Sequence, residues 1–205
     1  MDILQKLKNN QRRIGLTGGI ASGKTTITNF IRKHKNIPII DADNLSRELI
    51  KPNTYGYTKI LDYFGNQIIH NMNNPEKSIN RKLLKNIIFN NAESKEWIEK
   101  LLHPLIKEKM IKECSQYKNN QTIVLVIPLL FEAKFEDICT EIWLVKCPKE
   151  LQIKRLITRD KVSKKEAYES INLQLSFEEK RKFADIILDN SDDQNKWIKT
   201  IKKLL

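Results

Sequence analysis

A chain of 205 residues with 40% hydrophobic side chains is long enough for one compact domain carrying an insertion and a proper core. Its three cysteines, Cys114, Cys139 and Cys147, are odd in number and widely spaced, which excludes a disulfide framework or a zinc pattern and predicts free thiols in a reducing cytoplasm. The net charge of +12 suits polyanionic ligands, but Lys and Arg are spread along the whole chain without a basic block interleaved with aromatics, so nucleotides rather than nucleic acid are the expected partners.

The lead-in, Met1 to Arg12, is polar and basic with no apolar signal core, and no run approaches the ~18 apolar residues of a membrane span, so neither export nor a membrane partner is expected. A strand is predicted over about 12 to 17. It runs into Gly18-Gly19-Ile20-Ala21-Ser22-Gly23-Lys24-Thr25, which fits G-x-x-x-x-G-K-[ST], the phosphate-binding loop. The chain has six glycines, and four of them (Gly15, Gly18, Gly19, Gly23) crowd into this stretch, where backbone must bend sharply or lie against a ligand. An ordinary glycine-rich turn would match the constrained positions in well under roughly 1% of chains this long. Ile27, Phe30 and Ile31 then recur at helical spacing. In such a loop the backbone N–H groups and the helix N-terminus hold the β-phosphate, Lys24 reaches the β- and γ-phosphates, and the Thr25 hydroxyl helps hold Mg²⁺.

The run Ile37-Pro38-Ile39-Ile40 reads as a buried parallel strand, and it ends in Asp41-Ala42-Asp43, at the strand end where open α/β sheets place ligands. Two carboxylates there suit orienting or accepting the proton of an attacking hydroxyl, or positioning Mg²⁺ through its waters. The alternative is that Asp43 or Asn44 merely caps the next helix, which carries Leu45, Leu49 and Ile50.

From Pro52 to about Asn120 helical patterns dominate, with a short strand candidate at Gln67-Ile68-Ile69, an N-cap predicted at Ser94 and a break predicted at Pro104 beside His103. The stretch is too long for a simple crossover and reads as an inserted acceptor-binding subdomain. His103 is either a phosphate or substrate contact or a structural histidine. Residues 122 to 127, the strongest apolar run, read as a central strand; it ends without the usual Asp, which leaves Mg²⁺ to Thr25 and the carboxylates at 41 and 43. A fourth strand is predicted at Ile142 to Val145 and a helix over 149 to 160, with Leu151, Ile153, Leu156 and Ile157 inward and Arg155 and Arg159 outward on one face. Those two guanidiniums suit a phosphoryl clamp or are simply a solvated face. Ser163 to Gln174, opened by a Ser163/Glu166 capping box, reads as a mobile helical lid; a fifth strand (184 to 190) and a helix from Asp192 close the chain.

Taken together, Leu16 to Thr26, Ile40-Asp41-Ala42-Asp43 with Arg47, Tyr63-Phe64-Gly65, Asn80 to Leu84, His103-Pro104, Ile127 to Glu132, Gln152 with Arg155 to Asp160, Gln174, and Ala184-Asp185 to Asn190 resemble the dephospho-CoA kinases over about residues 12 to 190. The resemblance implies an α/β P-loop fold of the nucleoside-monophosphate-kinase type: a five-stranded parallel sheet flanked by helices, with a helical substrate-binding insertion and a lid. It implies a nucleotide-binding core at 12–51, 118–155 and 181–205, an insertion for dephospho-CoA at 52–117, and a lid at 156–180. It further implies ATP with Mg²⁺ as donor, phosphorylation of the ribose 3′-hydroxyl of dephospho-CoA to give CoA and ADP, and Asp43, Lys24, Arg155 and Arg159 as catalytic residues. Gly19, Ala21, Ser22, Gly23, Lys24, Thr25, Thr26 and Asn190 correspond to the ATP site; Thr17, Asp41, Arg47, Phe64, His103, Leu129 and Leu130 correspond to the acceptor site. The sequence departs from the family at Ala21, where Gly is frequent, at Ser170, where Arg is frequent, and at Leu173, where a small residue is frequent. Another small-molecule P-loop kinase acting on a nucleoside or its monophosphate is the nearer alternative. A nucleotide switch or nucleic-acid-associated ATPase is the more distant one.

Overall fold

The computed structural model describes residues 10–69, 77–118, 121–192 and 194–205; most of the polar lead-in lies outside them. Contacts divide the chain into two compact units, one formed by the residues up to Asp41 together with Glu113–Leu205, the other by Ala42–Lys112.

The first unit is built on five parallel strands, β1 (Arg12–Gly18), β2 (Ile39–Asp41), β3 (Thr122–Val126), β4 (Glu141–Lys146) and β5 (Ile186–Asp189), in the order β2-β3-β1-β4-β5. β1 is the middle strand, with Leu16 opposite Val126 on one side and Trp143 on the other. The chain fills the sheet on one side of β1 and then on the other, so the crevice at the C-terminal end of β1 is the topological switch point where such sheets bind ligands. Alternate strand residues, Ile14 and Leu16, Val124 and Val126, Trp143 and Val145, and Leu188, pack with Ile27 and Ile31 of α1 (Lys24–Lys35). Trp197 and Ile201 of α9 (Gln194–Leu204) complete that core. The period of two along the strands and of three to four along the helices is what makes this one continuous core. β2 differs from its expectation as a strand buried in the sheet: it is an edge strand, and of its three residues only Ile40 is buried. An apolar run this short reads the same at an edge shielded on its faces as in the middle of a sheet.

The second unit is helical: α2 (Ala42–Leu49), α3 (Tyr55–Phe64), α4 (Arg81–Asn90) and most of α5 (Ala92–Cys114). Ile50, Ile60, Phe64, Ile68, Ile79, Leu84 and Ile98 form its core. Several local expectations are corrected here. α2 belongs with this unit, because Ile50 at its end is part of that core and Gly56 lies too close to the Leu49 carbonyl to carry a side chain, its Cβ position being 2.4 Å away. α2 also begins at Ala42, so Asp43 sits inside its first turn and is not a cap. Residues 66–68 make a 3-10 turn, and the strand expected there is reduced to an isolated Ile69–Ile79 bridge, since Gly65 (φ 74°) turns the chain just before. The cap of α5 is Asn91, whose Oδ1 accepts from Ser94 N at 2.8 Å. α5 runs unbroken through Pro104, because burial of Ile98 before it and Ile106 and Met110 after it offsets the ~3 kcal/mol a helical proline costs.

Beyond β4, α6 (Lys149–Asp160) is followed by α7 (Lys164–Asn172) and α8 (Phe177–Arg181). Ser163 and Glu166 make the expected capping box, and Ser176 with Glu179 makes a second. In α6 the buried residues are Gln152 and Leu156, and Arg155 is half-buried, not outward.

Candidate active site

The turn between β1 and α1 has the backbone of a phosphate cradle. Gly18 (φ 151°), Ala21 (φ 58°) and Gly23 (φ 102°) all take positive φ, and the turn is closed by Ser22 N donating to the Gly19 carbonyl at 3.1 Å. α1 starts at Lys24 with no side-chain cap and no acidic residue in its first turn. Its leading N–H groups and its positive end are therefore left for an anion. Lys24 folds back over the loop, Nζ donating to the carbonyls of Gly18 at 2.7 Å and Gly19 at 3.0 Å. Thr25 and Thr26 are exposed in the first helical turn, whereas Ser22 is buried and its N–H is the one that closes the turn.

The loop is braced from behind by side chains spread over the sequence. Asn190, just past β5 and 5% exposed, donates Nδ2 to the Ser22 carbonyl at 2.8 Å, and its Oδ1 accepts from Trp197 Nε1 at 3.2 Å. Arg155 directs its guanidinium at the carbonyls of Ala21 (3.4 Å), Ser22 (3.3 Å) and Asn190 (3.4 Å). Gln152 donates Nε2 to the Cys147 carbonyl at 2.8 Å, and its Oε1 lies 2.8 Å from where a Cβ on Gly19 would stand. Gln174, after α7, accepts from Ile20 N at 2.7 Å. No local pattern assigns a role to Gln152 or Gln174; their only signal in the sequence is membership of the family pattern.

Other expected site residues are dispersed. Thr17 is fully buried, its hydroxyl donating to the Pro128 carbonyl at 3.3 Å, and ties β1 to the segment after β3. Leu130 is fully buried against Gly15, where a Cβ would come within 2.8 Å of its Cδ1; Leu129 is half-buried. Arg159 is exposed and holds both carboxylate oxygens of Asp160, at 2.7 and 2.9 Å, while Arg155 faces the loop carbonyls. Asp41, half-buried, ends β2.

In the helical unit, Phe64 is a core residue set edge-on to Trp97 at 5.6 Å, while Tyr63 stacks on the same indole at 4.0 Å. Asp43, Arg47 and Arg81 form one electrostatic cluster: burial and the like charge of Arg47 lower the Arg81 pKa, and Asp43 opposes them. His103 is half-buried, and burial holds its pKa below the ordinary value against the opposing pull of Glu99. The thiols are inert: burial raises Cys114 to about 11 and Cys139 to about 12, and raises Cys147 as well. Nothing here is built for covalent catalysis by cysteine; the loop is built to hold phosphate.

The family profile for dephospho-CoA kinase matches residues 12–196. A dephospho-CoA kinase of Prochlorococcus marinus strain MIT 9312 is 85% identical over the full length of both chains. Among solved structures, a dephospho-CoA kinase from Campylobacter jejuni aligns with a TM-score of 0.68 at 30% identity, covering 95% of this chain and 97% of its own. The TT1252 protein of Thermus thermophilus aligns with a TM-score of 0.79 at 26% identity, covering 96% and 99%. The chain belongs to the dephospho-CoA kinase family.

Proposed function

We propose that the chain divides phosphoryl transfer between a donor site at the loop 18–26 and an acceptor site in the helical unit. As a member of its family it phosphorylates dephospho-CoA with ATP, the last step of coenzyme A biosynthesis. The observation that carries the residue-level reading is the loop itself, with uncapped helical N–H groups and Lys24 resting on two of its own carbonyls.

On this reading the loop amides other than those of Ile20, Ser22 and Thr26, which bond within the protein, hold the ATP phosphates, and Lys24 moves from the Gly18 and Gly19 carbonyls onto them. The Thr25 hydroxyl and the Asp41 carboxylate are hard oxygen donors of the kind Mg²⁺ takes, Thr25 standing exposed in the first turn of α1. Bound there, Mg²⁺ would neutralise charge on the transferring phosphates. Asp43 orients or accepts the proton of the ribose 3′-hydroxyl. Arg47 and Arg81, whose like charges bear on one another, suit the diphosphate of the acceptor. Arg159 would exchange Asp160 for phosphate oxygens when the segment 156–180 acts as a lid, while Arg155 stays on the loop. His103 is a further acceptor contact. The three free cysteines suit a reducing cytoplasm.

The direct test is to supply ATP and dephospho-CoA and follow CoA and ADP, beside a panel of nucleosides and nucleoside monophosphates. ADP formed with a nucleoside panel member and not with dephospho-CoA would overturn the reading in favour of a different small-molecule kinase.

A further inference from the structure

One peptide plane in the loop is held at both ends, at the carbonyl by the loop's own residues and at the N–H by a side chain from elsewhere. The carbonyl of Gly19 accepts from Lys24 Nζ at 3.0 Å and from Ser22 N at 3.1 Å. The N–H of Ile20, in the same peptide, donates to Gln174 Oε1 at 2.7 Å. A trans peptide is planar and its N–H and C=O point in opposite directions, so fixing one fixes the other. Whatever holds the Ile20 N–H therefore aims the Gly19 carbonyl at Lys24.

Gln174 is itself firmly placed. Its own N–H returns to the Ile171 carbonyl at 3.2 Å, ending α7. The next N–H, of Leu175, donates to Glu132 Oε1 at 3.0 Å, and that oxygen lies 2.8 Å from Nζ of Lys180, a lysine only 1% exposed. Ser176 then opens the α8 capping box. The two residues after Gln174 are thus pinned, one by a buried ion pair beyond β3 and one by a helix cap, and the amide is delivered to the loop at a short distance. A solvent-facing glutamine with no task would have no such scaffold.

We infer that Gln174 is a positioning residue for the donor site: it orients the Gly19–Ile20 peptide and through it Lys24, linking the segment after α7 to the phosphate loop. This rests on the reading of Lys24 as a phosphate ligand. It predicts a defect confined to ATP. Gln174→Met keeps length and bulk and removes the acceptor, whereas Gln174→Glu keeps an acceptor.

The experiment measures amide hydrogen exchange at Ile20 in nucleotide-free protein together with steady-state kinetics. In Gln174→Met, Ile20 should exchange about tenfold faster, the worth of roughly one hydrogen bond, while Leu16 and Val124 in the sheet stay as in the wild type. Its kcat/KM for ATP should fall about tenfold, the same single-bond loss, with KM for dephospho-CoA unchanged. Gln174→Glu should keep Ile20 protected. Wild-type exchange at Ile20 in the Met variant, loss of protection in both variants, or an equal defect toward both substrates would overturn the inference. Failure of the wild-type enzyme to make CoA would instead strike the functional reading, and the exchange result would stand apart from it.

Discussion

Asn190 and Ser22, separated by nearly the whole chain, meet where Asn190 Nδ2 donates to the Ser22 carbonyl at 2.8 Å. The same amide's oxygen is held by Trp197 Nε1 at 3.2 Å, so α9 supports the phosphate loop through one side chain. Truncation leaves a buried carbonyl and a buried indole N–H without this partner. Asn190→Ala should therefore cost about 1–3 kcal/mol of stability and weaken ATP binding about tenfold. Thermal unfolding and an ATP titration check this. Unaltered ATP affinity in a destabilised variant would mean the brace serves the fold alone.

Two neighbouring loop positions with positive φ make opposite predictions. At Gly23 (φ 102°) an added Cβ would fall 2.0 Å from Asn190 Nδ2, so Gly23→Ala must displace the brace as well as strain the backbone. It should abolish measurable ATP binding. At Ala21 (φ 58°) the left-handed conformation is already strained by a methyl group. Ala21→Gly, the residue frequent in the family at this point, should leave activity intact and raise stability by up to ~1 kcal/mol, as read from the unfolding midpoint.

The loop, the five strands and the helical insertion were legible in the sequence because each rests on a local pattern. The Gly/Lys/Thr spacing, the apolar runs and the three-to-four periodicity need no knowledge of distant residues. What was not legible depends on long-range contacts. Arg155 looks like one more cation on an Arg-rich helix until its guanidinium is found on the carbonyls of Ala21 and Ser22. Gln152 and Gln174 carry no charge and break no local pattern; the family pattern alone marks them, and the fold shows Gln174 bonded to the loop at Ile20 N and Gln152 packed against Gly19. Local rules also misled where tertiary packing overrides them: Pro104 does not stop α5, and Ser94 yields the cap of that helix to Asn91. Spacing put Arg155 and Arg159 on one helix face but did not reveal their different partners, the loop carbonyls for Arg155 and Asp160 for Arg159.

Lys180 and Glu132 form a buried pair at 2.8 Å, with side chains 1% and 19% exposed. Removing one charge strands the other in a medium that solvates it poorly. Lys180→Met should destabilise by about 3–5 kcal/mol, and adding Glu132→Gln, which still accepts from Leu175 N, should recover most of the loss. A double-mutant cycle by denaturant unfolding measures the coupling. Additive losses would show that the pair has no interaction energy of its own.

The lowered pKa of His103 makes the stability of the folded chain sensitive to acid. Burial favours neutral imidazole in the folded state, so between the ordinary value near ~6.5 and the lower folded value the unfolded chain binds more protons. Stability is then unaffected above that window and falls as pH drops through it. His103→Gln should flatten the slope of the unfolding midpoint between about pH 7 and 5, the range bounded by that ordinary histidine value. Glu48, whose pKa is lowered first by its hydrogen bond to Lys109, loses its stabilising contribution only at lower pH, where its carboxylate protonates. An identical slope in His103→Gln would assign the acid sensitivity elsewhere.

Asp43 decides whether the chemistry is divided as proposed. It lies exposed in the first turn of α2, two residues beyond the end of β2, and shares its surroundings with Arg47 and Arg81. Asparagine keeps its size and hydrogen-bonding reach but can neither take a proton nor oppose the two guanidiniums. If Asp43 serves the attacking hydroxyl, Asp43→Asn should lower kcat by roughly 10²–10⁴-fold, the usual worth of a general base, with ATP affinity unchanged because the loop is untouched. The acceptor should bind as well or more tightly, since the cluster becomes more positive toward its diphosphate. If Asp43 only steadies α2, turnover should survive and the unfolding midpoint should move. Rapid-mix single-turnover measurements with saturating ATP separate the two, because they isolate transfer from product release.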